Sequence, residues 1–392
     1  MLVAMVVTGG ALAPSQQQAQ ASVVAEQEPH RGAAQSSDAA AGRPGRTAAP
    51  PGFDGATVLV RFAPETTKET RARIADEAGA TEQQVVGAET HVLKVKHGTV
   101  DHAIRRLRAQ PQVQYAEPNY VVRPDVVPDD PSFGELWGLR NTGQMVNGLN
   151  GTPGAGIDAP SAWNVTTGSR NVVVGVIDSG LDTGHPDLAP NVWSNPGLVN
   201  GCGPGTHGYN FVSRNCFPSD DLGHGSHVAG TIGAAGNDGI GVTGVNWTTS
   251  IMSLKFIRPT GSGLISDAVA AIDFAVSAKV AGVNVRVLNA SWGGSGRSQA
   301  LLDVIRKAAE NDILIVASAG NGGGTDVPHF PCNFRVENLL CVGASDHDDN
   351  LASFSNSGAT VDLAAPGTDI LSTRAGGGHR YLNGTSMATP HV

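Results

Sequence analysis

The 392-residue sequence has no apolar run long enough to cross a bilayer as a helix, its apolar first dozen residues included. It has no basic stripe either. The formal net charge is −9, and all of that imbalance lies in residues 126–392, with thirteen basic against twenty-two acidic side chains. That pattern excludes the electrostatic footprint of a nucleic-acid-binding protein. Cysteine is scarce, at four residues, which allow three pairings. No Glu lies between His224 and His227, so the pair lacks the metalloprotease pattern. No Gly-Lys-Ser/Thr follows the glycine-rich stretch from Gly320 to Gly324, which rules out a phosphate loop. What remains, at 40% hydrophobic and 16% charged residues, is a globular composition with room for a large core and more than one domain.

The chain opens on Met1-Leu2-Val3-Ala4-Met5-Val6-Val7 and then small residues to Ala13. This reads as the apolar region and cleavage site of a secretory signal over residues 1–21, and the protein is expected outside the cell. A basic leader is missing, as it would be if the sequence started inside the true signal. Residues 22–53, rich in Ala, Gln, Ser, Pro and Gly without periodicity, read as a disordered linker. From there to residue 122 the pattern predicts strands at 57–62, 91–96 and 113–118. Helices are predicted at 66–78, closed by Gly79, and on the face of Val100, Ala103, Ile104 and Leu107. Together they make a small α+β unit of the split-βαβ, ferredoxin-like kind. The extended stretch from Val121 to Asp130, with Pro124 and Pro128, suits a cut between domains.

Residues 129–392 alternate strands with helices, which predicts an α/β, doubly wound, mostly parallel sheet. Strands are expected at 172–177, 251–256, 285–289, 313–317 and 339–342. A helix carries Ile265, Val269, Ile272 and Val276 as one apolar stripe. In such sheets ligands gather at the carboxyl ends of strands. There the run Val172–Ile177 ends in Asp178-Ser179-Gly180, a carboxylate that could orient an imidazole or merely cap a turn. His224-Gly225-Ser226-His227 opens a helix-like run, with His224 exposed toward the strand ends and His227 facing the core. Asn321 offers an amide N–H at a glycine-rich edge. Asn383-Gly384-Thr385-Ser386-Met387-Ala388-Thr389-Pro390 presents a serine at a first helical turn. A serine hydroxyl needs a base and oxyanion donors before it can act as a nucleophile, and these stretches supply both.

These four stretches, in the order acid, base, nucleophile, resemble the signatures of the subtilisin-like serine proteases, whose triad follows that order. The resemblance implies that Asp178 orients His224, that His224 takes the proton of Ser386, that Ser386 attacks the scissile carbonyl, and that Asn321 donates to the oxyanion. It implies that the preceding α+β unit is an inhibitory propeptide and that the substrates are polypeptides. It also implies that Ser291, Trp292, Gly293 and Gly320 line the cleft. The family more often has Leu where Trp292 stands, and Trp292 could instead pack on the sheet. A structural Ca2+ is implied, as in thermitase-like members. Asp130, Asp187 and Asp238 would give side-chain oxygens, and Ala235, Ile240 and Val242 carbonyls; the rival is a glycine turn with solvated acids. Local pairing of Cys202 with Cys216 and of Cys332 with Cys341 is the economical choice, against four free thiols. In the family the helix begun at the nucleophile runs on, whereas here only seven residues remain from Ser386. The chain is therefore expected to be cut short at its C-terminus. The leading reading is a secreted, monomeric, calcium-stabilised endopeptidase made as a zymogen. The rivals are a non-catalytic inhibitory module and an esterase using the same triad.

Overall fold

A computed structural model describes residues 52–87, 89–121, 126–197 and 199–392. The signal at 1–21 and nearly all of the linker at 22–53 lie outside the described residues, as do residues 122–125 of the expected cut. No helix among the described residues is long and apolar enough to cross a membrane.

The first part of the chain runs β1 (Phe53–Phe62), α1 (Lys68–Glu77), β2 (Ala80–Val86), β3 (Thr90–Val95), α2 (Val100–Arg108) and β4 (Val113–Tyr120). Its antiparallel sheet has the order β2-β3-β1-β4, which is the split-βαβ arrangement. The predicted face of α2 is the buried one: Val100, Ala103, Ile104 and Leu107 pack with Val58, Val60 and Leu93 of the sheet. Thr67 caps α1 by accepting the Thr70 N–H. Strand β2 has no counterpart among the predicted strands. It is an edge strand whose residues after Ala80 are all exposed, so it shows no apolar alternation.

The larger part begins with a short hairpin, β5 (Met145–Val146) and β6 (Leu149–Asn150), and α3 (Ala159–Trp163). It continues through β7 (Gly168–Asp178), β8 (Gly208–Asn210), α4 (His224–Gly233), β9 (Thr248–Lys255), α5 (Ile265–Val280), β10 (Val285–Ala290), α6 (Gln299–Ala309) and β11 (Leu314–Ser318). It ends with β12 (Leu339–Ser345), β13 (Leu363–Pro366), β14 (Ile370–Thr373), β15 (His379–Leu382) and α7 (Thr385–Ala388). Seven strands form one parallel sheet in the order β13-β12-β11-β10-β7-β9-β8. Successive side chains alternate across it. Val173 and Ile177 of β7 join the core under α5 and α6, whereas Val174 and Val176 join the core that holds Val228 and Ala229 of α4 and Met387 of α7. Both faces are covered, so β7 reads as a continuous apolar run. The buried side of α5 is broader than one stripe, because Ala268, Ala271, Ala275 and Ala278 are buried with Ile272 and Val276, and Ile265 is exposed at its start. Unpredicted β8 and β13 are short edge strands, and β14 with β15 is a separate hairpin.

Candidate active site

β7 ends on Asp178, whose side chain is fully buried. Both its carboxylate oxygens meet His224 Nδ1, at 2.8 and 2.9 Å, and the Ser179 N–H donates to Oδ1 at 2.7 Å. His224 is the first residue of α4, and the turn that delivers it needs Gly223 at φ +86°, a region that favours glycine. Burial alone would lower the His224 pKa. The charge and hydrogen bond of Asp178, with the charge of Asp220, outweigh it and raise the pKa above the ordinary imidazole value. Asp220 holds the start of α4: its carboxylate accepts from the N–H groups of Gly223 at 2.7 Å and Ser226 at 2.9 Å, and from the hydroxyls of Ser226 and Ser179. Burial acts against ionisation there, but these donors win and lower the Asp220 pKa. His227 is buried, as expected. Its Nε2 meets the carbonyls of Ile370 and Arg380, both at 3.0 Å, and burial pushes its pKa down to about 3.

Ser386 lies in the first turn of α7 and shares a cleft cavity of about 400 Å3 with His224, Asn321 and Ser291. Its hydroxyl donates to the Ser291 carbonyl at 3.0 Å rather than to His224. The Ser291 hydroxyl donates to the Ser386 carbonyl at 2.8 Å. Asn321 Oδ1 accepts from both the N–H and the hydroxyl of Thr385 at 2.9 Å. Two donors on that oxygen fix the amide's orientation and leave its NH2 end for the cleft. Gly293, Gly320 and Trp292 also line the cavity. Trp292 also packs edge-on against Phe256, with ring centroids 4.8 Å apart.

Asp130 and Asp187, two of the expected metal ligands, hydrogen-bond to the backbone of the loop at 235–242. Asp130 Oδ2 accepts the Asn237 N–H at 2.6 Å, and Asp129 Oδ1 accepts the Gly239 N–H at 3.0 Å. Asp187 Oδ2 accepts from Val242 N–H at 2.9 Å and meets His379 Nε2 at 2.7 Å, while the Ala235 N–H donates to the Asp187 carbonyl. Asp238 is exposed, and its Oδ1 accepts from Ile240 N–H. Two buried oxygens, Asp130 Oδ1 and Asp187 Oδ1, have no partner. Burial, then the charges of Asp238 and Asp129, push the Asp130 pKa up to about 6 against the Asn237 hydrogen bond. Among the described residues, no three His, Cys, Asp or Glu side chains are grouped to hold a metal by themselves. The cysteines pair locally: Cys202 with Cys216 and Cys332 with Cys341, with Cα atoms 5.7 and 4.8 Å apart.

Three contributors were missed in the sequence. Asp220 had a signal, an acid three residues before the glycine that starts α4. Lys255 ends an apolar strand, and its buried Nζ donates to the carbonyls of Ser179 and Ile257 and to Asp221. Only a charge at the end of a core strand could have flagged it. His329, which also lines the cavity, had no signal at all.

The sequence model of the Subtilase family matches residues 169–392, and that of the Fervidolysin N-terminal prodomain matches residues 56–119. A thermophilic serine proteinase from Bacillus sp. (strain AK1) is 35% identical over 339 residues, which are 86% of this chain and 75% of that protein. Subtilisin E of Bacillus subtilis (strain 168) is 40% identical over 60% of this chain, which spans 57% of it. Thermitase of Thermoactinomyces vulgaris is 35% identical over 60% of this chain and 77% of its own length. A solved protease structure from Pseudoalteromonas arctica superimposes with a TM-score of 0.55 at 29% identity, covering 68% of this chain and 84% of that one.

Proposed function

This chain belongs to the subtilase family of serine-type endopeptidases and carries a prodomain ahead of its peptidase domain, and from that premise we propose that Asp178, His224 and Ser386 are its catalytic triad. The observation that carries this reading is the two-oxygen contact of buried Asp178 with His224 Nδ1, in the cleft that holds the Ser386 hydroxyl. Asp178 fixes the tautomer with its proton on Nδ1, so Nε2 is free to act as base. Rotation about the Ser386 Cα–Cβ bond takes the hydroxyl from the Ser291 carbonyl toward that nitrogen. As Ser386 Oγ adds to the scissile carbonyl, His224 takes its proton and later delivers it to the leaving amine. The Asn321 NH2 and the Ser386 N–H hold the oxyanion; removing a side-chain donor of this kind from subtilisin costs about 2.7–4 kcal/mol. Water then resolves the acyl-enzyme by the same proton relay.

The remaining parts of the reading concern how the enzyme is made and held. Residues 54–122 act as the inhibitory propeptide of the 129–392 peptidase domain until the link at 121–130 is cut. The product is secreted as a monomer, and two local disulfides suit an oxidising compartment. Substrate backbone pairs with Ser291–Gly293 as an added strand. The loop at 235–242 fits a structural Ca2+, because Asp130 and Asp187, whose Oδ2 atoms accept from its N–H groups, each keep a second, buried oxygen without a partner, as a hard, oxygen-seeking cation would use. Asp238 and the carbonyls of Ala235, Ile240 and Val242 would complete the shell, and its contribution is to stability rather than to the chemistry.

Ser386→Ala tests the triad. A fluorophosphonate probe should label the wild-type chain at Ser386, and the variant should lose labelling, self-cleavage and peptide hydrolysis together. Persistence of hydrolysis in the variant rejects the assignment, and labelling with turnover of esters alone moves the protein to the esterase class.

A further inference from the structure

The cleft contains a side chain that this chemistry leaves unused. His329 lines the same cavity as His224 and Ser386. Its ring stands between two backbone walls. A Cβ built on Gly293 would lie 2.3 Å from Nε2, and one built on Gly320 would lie 2.8 Å from Cγ and Nδ1. Both glycines line the cavity that holds the Ser386 hydroxyl, and the imidazole occupies the space between them.

The walls and the ring are held together. Phe330 N–H donates to the Gly294 carbonyl at 2.7 Å and Gly294 N–H to the Phe330 carbonyl at 3.0 Å, so the segment bearing the ring is zipped to one wall. On the other wall, Gly320 N–H donates to the Thr385 hydroxyl at 3.1 Å, and the Gly320 carbonyl accepts from Asn356 N–H at 2.9 Å. Asn333 N–H donates back to the His329 carbonyl at 3.0 Å, and the Cys332–Cys341 bridge ties the following residues to β12. Burial holds the His329 pKa below the ordinary imidazole value, so a neutral ring fills the slot near pH 7.

Building on the assignment of Ser386 as nucleophile, we infer that His329 is a steric plug that restricts this enzyme to polypeptides with a short side chain, such as that of Gly, Ala or Ser, on the residue supplying the scissile carbonyl. A long side chain would have to displace a ring wedged between fixed backbone segments, and forcing extra groups into packed space is costly.

The test uses the full chain and peptides that differ only at the residue before the scissile bond: Gly, Ala, Leu or Phe. The wild type should favour Ala over Phe by about 100-fold in kcat/KM, the discrimination a few methylenes can supply in a closed pocket. His329→Gly should raise Phe turnover by about tenfold or more and narrow or reverse that preference, as expected when filled volume becomes free. His329→Ala serves the same comparison should the glycine variant fail to fold. Fluorophosphonate labelling reports an intact site in each protein. A labelled wild type that cuts Phe as well as Ala overturns the inference but leaves the triad standing, as does a labelled variant that keeps the wild-type preference. A wild type that does not label removes the triad assignment and this inference with it.

Discussion

The imidazole of His224 is under opposing influences. Burial favours its neutral form, while Asp178 and Asp220 favour the cation and prevail. A general base works only when neutral, so kcat/KM should fall on the acid side with a midpoint above the ordinary imidazole value of about 6.5. Asp220→Asn removes one of the two charges and should move that midpoint downward, as read from pH–rate profiles of both proteins. A shared midpoint would show that Asp220 acts only through the fold. Lys255 presents a different case. Replacing it with Met deprives the Ser179 and Ile257 carbonyls of a buried donor, and a loss of about 2–3 kcal/mol is expected by denaturant titration. Asp178, His224, Asn321 and Ser386 could be proposed from sequence because each lies in a short local pattern at an element's end. Lys255 and His329 could not, because their roles depend on residues 76 positions away in one case and on two separate glycines in the other.

At the scale of elements, the peptidase sheet was readable where strands are central and apolar. β7, β9, β10, β11 and β12 place buried side chains on both faces of the sheet, and in β7 this leaves the near-continuous apolar run Val172–Ile177. The edge strands β2, β8 and β13 need bury only part of themselves, so their sequences carry little pattern. The disulfides constrain loops between these elements. Closing 14 residues at Cys202–Cys216 should be worth about 3 kcal/mol on the loop-entropy model. Closing 9 at Cys332–Cys341 should be worth about 2.6 kcal/mol. Paired Cys→Ser variants in urea should show losses of that order. The second pair should also relax the discrimination attributed to His329, whereas the first should not.

For the molecule as a whole, acid should be destabilising through two buried imidazoles. Burial pushes His227 down to about 3 and His391 down to about 4. In the unfolded chain both titrate near 6.5, so below that pH the unfolded state binds more protons. Their contribution is therefore intact above about pH 6.5 and declines as pH falls toward 4. Thermal midpoints measured from pH 7 to 5 should drop, and His391→Gln should flatten the curve. Chelation tests the proposed Ca2+ site. Removing Ca2+ should lower the melting temperature of the wild type but leave Asp130→Asn/Asp187→Asn nearly unaffected, as followed by calorimetry. An unchanged wild-type midpoint would end the calcium assignment.

The sequence by itself pointed to a subtilisin-like serine endopeptidase, because the residues proposed as nucleophile, base, acid and oxyanion donor each sit in a contiguous motif that local backbone rules place at a strand or helix end. It also located the central strands, which are mostly apolar because both faces are covered, and their alternation with helices implied a parallel sheet. Only the tertiary structure decided which way the Asn321 amide points, that a second carboxylate supports His224, and that an imidazole stands between two glycine walls. Those features are fixed by contacts between segments far apart in the chain, and no local pattern of residues encodes a distance.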